Sequence, residues 1–293
     1  MLTRSHIPTS RVGHVSITRI EEADPVPSPG FPAGTTVETF RRYRDSIDPR
    51  WYDENGAPLL GMSGFVLSTG DVNVLVDTCN GDWPVAGFPP PAEPSPFLGR
   101  LRTAGFAPED IHVVVNTHLH LDHVGCNTHQ ASDGSVAATF PNAEYLFVDV
   151  EWEWAQRAAA EGNPACGRVD RAVAPLLEAG RGRLVGRDHR ITDEISLIPT
   201  PGHTPGHVSV QVNTDAGSAI ITGDMMHHPI QLFEPGLCAL FEEDSDEAAR
   251  TRVALLERWR REGALLLGTH FPGTGIGVIE QDARGFRYVE AAS

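Results

Sequence analysis

The chain has 293 residues, of which 40% are hydrophobic and 21% charged, as in an ordinary globular protein. Its 39 acidic residues outnumber the 23 basic ones, so the formal net charge is −16. A surface this negative repels phosphate backbones and anionic lipids, which argues against a nucleic-acid partner.

The sequence carries no sign of export or of a membrane span. Residues 1–17 lack the apolar stretch of a secretory signal, and no run approaches the roughly 18 apolar residues of a membrane helix. The cysteines are widely spaced and form no C-x-x-C pair: Cys79, Cys126, Cys166 and Cys238. We therefore expect a cytoplasmic protein with reduced thiols and no membrane association.

Two proline-dense stretches, 21–36 and 81–96, are predicted to be long surface loops, because proline disfavours helices and central strands. We expect a single domain over residues 1–293, in which segments 21–58 and 81–96 are insertions that form lids or dimer contacts. Aromatic residues in or beside these loops, or after a later strand, are candidates for apolar substrate walls or for anchors to the core: Trp51, Tyr52, Trp83, Phe88, Phe97 and Phe233. Exposed aromatics on segment 21–58 could equally form the interface of a homodimer.

Strand-like and helix-like segments alternate along the rest of the chain. In chain order they are a hairpin over 64–78 turning at Gly70-Asp71, strands over 111–117 and 144–149, a helix from 150 to Gly162, strands over 195–200, 207–214 and 218–224, a helix over 245–263 with Ser245 as N-cap, and strands over 264–270 and 285–291. This order predicts an α/β protein in two similar halves packed sheet to sheet. The histidine clusters follow apolar strands, where sheet proteins build their sites.

The densest cluster is the stretch THLHLDHVG, residues 117–125. In an extended turn, the side chains of His118 and His120 point to one side, so both imidazoles can reach one metal ion. Asp122 and His123 follow at once and are placed to bind a second ion nearby. Gly125 permits the tight backbone that this crowding requires.

Three more candidate ligands lie at the ends of later strands. They are His203 in TPGHTPGH, Asp224 in ITGD and His270 in GTH. With the first cluster they provide five histidines and two aspartates, enough for two ions with three side-chain ligands each and one shared carboxylate. His207 is expected to orient a turn, and the remaining histidines outside these motifs are read as structural or exposed: His6, His14, His112, His129 and His189.

These motifs, in this order, resemble the metallo-β-lactamase superfamily over residues 64 to 273. The resemblance implies an αββα sandwich, with two mixed sheets flanked by helices and a dinuclear metal site at one edge. It assigns His118, His120 and His203 to one ion, Asp122, His123 and His270 to the other, and Asp224 to both. It also implies that Asp77 orients a ligand imidazole by accepting its free N–H.

The ligand set narrows the chemistry within that superfamily. True β-lactamases commonly have cysteine where this chain has Asp224, and the flavin-linked diiron branch has glutamate in place of His120. The flanking sequences resemble N-acyl-homoserine lactonases and methyl parathion hydrolase. Many of those lactonases carry tyrosine where this chain has His227, which resembles the organophosphate-hydrolase-like group instead.

We therefore predict a dinuclear hydrolase that cleaves carboxylic esters or lactones with a metal-bridging hydroxide. Asp122 and His227 are the candidate catalytic residues for proton transfer to the leaving group. The oxygen and nitrogen ligands favour two divalent ions, zinc first, with manganese, iron or cobalt as alternatives. Three other functions stay open: a phosphotriesterase, a thioesterase, and a metal-binding sensor or scaffold without catalysis.

Overall fold

The computed structural model describes residues 8–28, 31–43, 45–84, 93–239, 241–282 and 285–291. The first sheet contains, in spatial order, β1 (Thr9–Val12), β2 (Val15–Pro27), β3 (Leu59–Ser68), β4 (Asn73–Val76), β5 (Val113–Val115), β8 (Glu144–Val148) and β9 (Gly182–Val185). The second contains β10 (Ile195–Pro199), β11 (Val208–Thr214), β12 (Gly217–Ile221), β13 (Leu265–Leu267), β14 (Ile276–Asp282) and β15 (Gly285–Glu290), and a small separate hairpin pairs β6 (Thr128–Gln130) with β7 (Val136–Ala138).

Helices cover the outer faces of these sheets. They are α1 (Val37–Tyr43), α2 (Phe97–Thr103), α3 (Leu121–Val124), α4 (Asp149–Ala160), α5 (Val169–Ala172), α6 (Ala174–Glu178) and α7 (Ser245–Glu262). A bilayer-crossing helix would have to be longer and more apolar than any helix in the described ranges.

The alternation of buried residues along each strand builds four layers. In β3, Phe65 and Leu67 pack in a cluster that joins the two sheets, while Val66 between them packs against the helices on the first sheet. In β13 of the second sheet, Leu267 belongs to the inter-sheet cluster and Leu266 to the cluster under α7. Because successive side chains of a strand point to opposite faces, both sheets are buried on two sides. The αββα sandwich is confirmed.

The predicted loop over 21–36 is wrong for residues 21–27, which continue β2. Two features explain how this stretch holds prolines. β1 pairs only with residues 15–18 of β2, so the later part of β2 is an edge that needs no donor on its free side. Its pairing with β3 also shifts register between Glu21 and Ala23 and again between Ala23 and Val26, as β-bulges do. Of the segment 81–96, residues 85–92 lie outside the described residues, and Phe88 with them.

The helix α7 begins as predicted but is capped by a different residue. The carboxylate of Asp244, not the hydroxyl of Ser245, accepts the backbone N–H of Glu247 at 2.8 Å. The helix ends at Gly263, whose φ of 63° lies in the left-handed region. Asp244 is the stronger cap here because a charged oxygen also complements the helix dipole.

The topology gathers the motif-bearing loops at one edge of the sandwich. β4 and β5 run parallel, as do β12 and β13, so each pair ends at the same side. Asp77 follows β4, the stretch from 116 follows β5, and the loops with His203, Asp224 and His270 follow β10, β12 and β13. The sequence-distant motifs are therefore brought together by strand direction.

Candidate metal centre

Asp224 lies at the middle of the gathered motifs, and each of its carboxylate oxygens faces a different group of histidines. Oδ2 lies 3.3 Å from His203 Nε2 and 3.7 Å from His118 Nε2. Oδ1 lies 3.2 Å from His123 Nε2 and 3.1 Å from His270 Nε2. This carboxylate thus stands between two sets of imidazoles.

Each set of side chains is compact enough to hold one ion. His118, His120, His203 and Asp224 each offer an atom such that these atoms all lie within 4.8 Å of one another, and the same holds for Asp122, His123 and His270. His120 Nδ1 and His203 Nε2 are 3.0 Å apart, and His270 Nε2 lies 3.7 Å from Asp122 Oδ2. The structure brings together all seven residues that the sequence singled out as metal ligands.

Hydrogen bonds on the far side of two rings fix which nitrogen points inward. His123 Nδ1 lies 2.9 Å from Asp77 Oδ2, and His270 Nδ1 donates to the carbonyl oxygen of Gly61 at 2.9 Å. With Nδ1 engaged from behind, each ring directs Nε2 at Asp224, and this nitrogen can bind a metal ion once it has lost its proton. Asp77 also accepts the backbone N–H of Thr117 at 2.8 Å, which ties it to the turn that carries the cluster. Asp77 therefore has the contacts expected of a residue that orients a ligand.

Several inward atoms are buried without a hydrogen-bond partner. They are Nε2 of His118, Nε2 of His123 and Oδ1 of Asp224. The rings of His120, His203 and His227 each have one unpartnered nitrogen too, but their other nitrogen is the one that faces the cluster. Buried polar atoms in native proteins are nearly always paired, so these unpartnered atoms around one carboxylate are candidates for binding a cation. The donor set fits divalent metal ions.

The histidines differ in charge state: burial alone would lower the pKa of His123 and of His270, but the Asp224 carboxylate beside them raises both, whereas the three rings grouped around His118 stay neutral. Burial lowers the pKa of His118 and of His203 well below the ordinary histidine value, and lowers that of His120 to about 4, so these rings are neutral and free to bind a cation. Burial alone would raise the pKa of Asp224, but the surrounding histidines hold it well below its usual range. Asp224 is therefore an anion at neutral pH.

His207 lies behind the metal-ligand cluster and orients a turn, as the sequence predicted. Its Nε2 accepts the backbone N–H of Asp224 at 2.9 Å, and its Nδ1 lies 2.7 Å from the hydroxyl of Thr200. Burial lowers the pKa of this ring to about 3, which keeps Nε2 an acceptor. With both nitrogens engaged, His207 orients the turn at Asp224. Gly223 in that turn has a φ of 53°, and a Cβ there would lie 2.7 Å from His207 Nε2.

His227 belongs to the centre itself. Its Nε2 lies 3.0 Å from Asp224 Oδ2, and its ring stacks on that of His270 with centroids 5.4 Å apart. The edge of Phe31 packs against the same ring, at 5.2 Å between centroids. Both roles that the sequence left open, proton donor and packing residue, are compatible with this position.

Two thiols lie near the centre but are not nucleophiles. Burial raises the pKa of Cys79 and of Cys126, so neither is a thiolate at neutral pH. All four cysteines are free, as expected.

A cavity of about 690 Å³ opens over the metal-ligand cluster. Its walls are chiefly apolar: Ala23, Val26, Phe31, Leu60, Met62, Leu121, Ala165, Ala239 and Phe241. Its polar lining contains His120, Asp122, His203, Asp224, His227 and His270, together with Ser28 and Asn80. Among the described residues that line it, none is a lysine or an arginine.

The cavity wall differs from the one that the sequence suggested. Trp51, Tyr52 and Phe97 are buried in the core, and the Trp83 indole donates to the carbonyl oxygen of Thr128 at 3.0 Å. Phe233 packs against the ring of Tyr43. These aromatics are anchors. The aromatic wall residues are Phe31 and Phe241, which lie in irregular segments and carry no periodic pattern that would have revealed them.

Comparison with known proteins agrees with the fold and the motifs. The family model described as the metallo-beta-lactamase superfamily matches residues 57–270. An N-acyl homoserine lactonase from a Bacillus species is 27% identical over 175 residues, which cover 55% of this chain and 62% of that protein. The N-acyl homoserine lactonase AiiB of Agrobacterium fabrum is also 27% identical, over 53% of this chain and 58% of that one. The chain thus spans about three fifths of the length of these curated relatives.

Two solved structures share the architecture over nearly the whole chain. The hydrolase AbOPH of the beta lactamase superfamily superposes with a TM-score of 0.81 at 20% identity, and 98% of each chain is covered. AidC, a dizinc quorum-quenching lactonase in complex with a product, superposes with a TM-score of 0.78 at 17% identity, again over 98% of each chain. On its motifs, its fold and the family match, the chain belongs to the metallo-beta-lactamase superfamily.

Proposed function

We propose that this protein is a dinuclear metallohydrolase of neutral carboxylic esters or lactones. The observation that carries the proposal is the position of Asp224, whose two oxygens each face a separate set of histidines. In this proposal one ion is bound by His118, His120 and His203, the other by Asp122, His123 and His270, and Asp224 binds both.

Zinc is the ion that we propose, because the ligand set combines imidazole and carboxylate without thiolate. When bound, such ions polarise a carbonyl oxygen and activate water for attack near neutral pH. The protein's contribution is to hold the ligand rings by hydrogen bonds from behind, as Asp77 and Gly61 do. It also offers the substrate a chiefly apolar cavity wall.

Two residues are our candidates for moving the proton that the leaving group requires. Asp122 lines the cavity and has a partly exposed carboxylate. His227 also lines the cavity, and its Nδ1 has no hydrogen-bond partner. We propose that one or both protonate the leaving alkoxide, the step in which a general acid has most effect.

The cavity favours uncharged, apolar substrates. Its volume of about 690 Å³ suits a small molecule, and its walls are mainly aliphatic and aromatic. Away from the proposed ions, the described lining residues include no lysine or arginine that could bind an anionic carrier group. This disfavours thioesters of anionic carriers, and the curated relatives named as N-acyl homoserine lactonases support a neutral lactone.

A neutral phosphotriester fits the same cavity, and His227 beside the metal ligands keeps this second candidate open. The two are separated by kcat/KM on zinc-loaded and manganese-loaded protein for three substrate sets: acylated lactones, aryl and alkyl esters, and paraoxon-type triesters. We expect lactones or esters to exceed triesters by at least about tenfold, a difference of about 1.4 kcal/mol. Faster triester turnover would select the second candidate. No turnover of any set by fully metal-loaded protein would instead indicate a binding protein.

Substitution of His227 tests its proposed role as proton donor. His227→Phe keeps a ring against His270 and Phe31 but removes both nitrogens. We expect kcat for an alkyl ester or lactone to fall by about 10²-fold, since general acids contribute roughly 10²–10⁴-fold. A nitrophenyl ester, whose leaving group needs no proton, should lose much less. Equal losses on both substrates, or none on either, would assign His227 to packing.

A further inference from the structure

Glu151, in the first turn of α4, is a buried carboxylate with no cationic partner. Its side chain is 1% exposed, and among the described residues none forms an ion pair with it. Burying a carboxylate without a compensating charge is costly, so such a group is expected to have strong hydrogen bonds. No sequence motif marks Glu151 as a functional residue.

The hydrogen bonds to Glu151 come from both loops that carry the first proposed metal site. Its Oε1 accepts the backbone N–H of Leu119, the residue between His118 and His120, at 3.1 Å. Its Oε2 accepts the hydroxyl of Thr204, the residue after His203, at 2.7 Å and the backbone N–H of Gly206 at 3.0 Å. One carboxylate thus ties together two loops that follow strands of different sheets.

The backbone of the His203 loop lies in direct contact with the start of α4. A Cβ at Gly206 would lie 2.4 Å from the backbone nitrogen of Glu151 and 2.5 Å from its Cβ. One turn further along α4, the ring of Trp154 packs against that of His120, at 5.7 Å between centroids. The start of α4 therefore acts as a backing surface for the ligands His118, His120 and His203.

We propose that Glu151 is a positioning residue that holds the His118–His120 turn and the His203 loop at the separation which a metal ion requires. The inference rests on the proposed function, because it assigns these three histidines to one ion. Glu151 itself lies behind the ligands and is not among the residues that line the cavity. Its effect is on the relative positions of the ligand side chains, and hence on metal affinity.

Replacement of one carboxylate oxygen separates this role from simple packing. Glu151→Gln keeps the length and shape of the side chain, but its amide nitrogen cannot accept the hydrogen bond that one oxygen now receives. Partners behind metal ligands typically change affinity by 10- to 100-fold. We expect the apparent zinc dissociation constant of Glu151→Gln, from competition with a chromogenic chelator, to rise by about that factor. Burial raises the pKa of Glu151 to about 7, so the titration is done at pH 8, where the native carboxylate is largely ionised.

Glu22 provides a matched control. Its buried carboxylate also accepts two backbone N–H groups and one hydroxyl, from Asn80, Gly81 and Ser95 at 2.8, 2.9 and 2.5 Å, but none of these donors lies in the His118–His120 turn or in the His203 loop. Glu22→Gln should lower the melting temperature of the metal-free protein by about as much as Glu151→Gln does. It should leave zinc affinity within about twofold of native. If Glu151→Gln does not fold, Thr204→Val removes a single donor and should weaken zinc binding in the same direction.

The outcomes distinguish this inference from the proposed function. Native protein that binds no zinc would overturn both. Native protein that binds zinc, with Glu151→Gln unchanged in affinity, would overturn the inference alone. Equal losses of affinity in Glu151→Gln and Glu22→Gln would also overturn it, because they would show a general effect of stability.

Discussion

Replacement of Asp224 by asparagine is expected to abolish ester hydrolysis, lowering kcat/KM by at least about 10³-fold. The figure exceeds the 10- to 100-fold typical of residues behind a metal ligand, because Asp224 is proposed to bind both ions itself. Asparagine has the same shape but offers one neutral oxygen and an amino group. That amino group would face a set of histidine nitrogens now 3.1 to 3.7 Å from the native carboxylate.

The Asp224→Asn experiment needs three measurements on one preparation: kcat/KM, bound metal per chain and the far-UV circular dichroism spectrum. Asp133→Asn is a suitable control, since Asp133 is an exposed turn residue bonded only to nearby Ser135. We expect Asp224→Asn to keep the native spectrum and to lose both its bound metal and its activity. Turnover within tenfold of native, with metal content unchanged, would contradict the assignment of Asp224 as the shared ligand.

The second large effect is expected from His120→Ala. His120 lies in the cavity lining, with Nδ1 3.0 Å from His203 Nε2, so its loss removes one of three imidazoles from the first proposed site. We expect that site to lose its ion and kcat/KM to fall by at least about 10²-fold. Because burial keeps this ring neutral, alanine removes a ligand without removing a charge.

His129→Ala is the control for His120→Ala, because His129 is an exposed histidine that does not line the cavity. It should keep both the metal content and the turnover of the native protein. If His120→Ala retained a full complement of metal, the division of the ligands between two sites would be wrong. Addition of imidazole, which can enter the space left by the ring, should restore part of the metal binding if the division is right.

The fold could be predicted from the sequence where the buried strands are apolar runs. It could not be predicted where strand pairing stabilises a segment whose composition disfavours a strand. Two examples are Val113–Val115 and Leu265–Leu267, short aliphatic runs whose composition predicts buried strands. The end of β2 was missed because its prolines are tolerated only through an unpaired edge and two bulges, which are tertiary features. β14 was missed because it begins Ile276-Gly277 amid glycines. Glycine is required at position 277, since a Cβ there would lie 2.4 Å from the carbonyl oxygen of Val289.

The candidate site was predictable to the extent that its chemistry is local in the chain. His118 and His120 are two residues apart, and Asp224 and His270 directly follow strands, so spacing alone suggests convergence. The partners behind the ligands are different. Glu151 comes from a helix, and Gly61 contributes a backbone carbonyl that has no residue-type signal. Such contacts depend on the packing of distant elements, and only the structure reveals them.

The number of metal ions per chain tests the central claim most directly. Native protein should be stripped with a chelator, loaded with excess zinc, freed of unbound metal and analysed for elemental zinc against protein concentration. We expect two ions per chain, with turnover rising to its maximum only as the second ion binds. A chain that retains one ion or none under these conditions, and is no more active with zinc than without it, would contradict the proposed dinuclear centre.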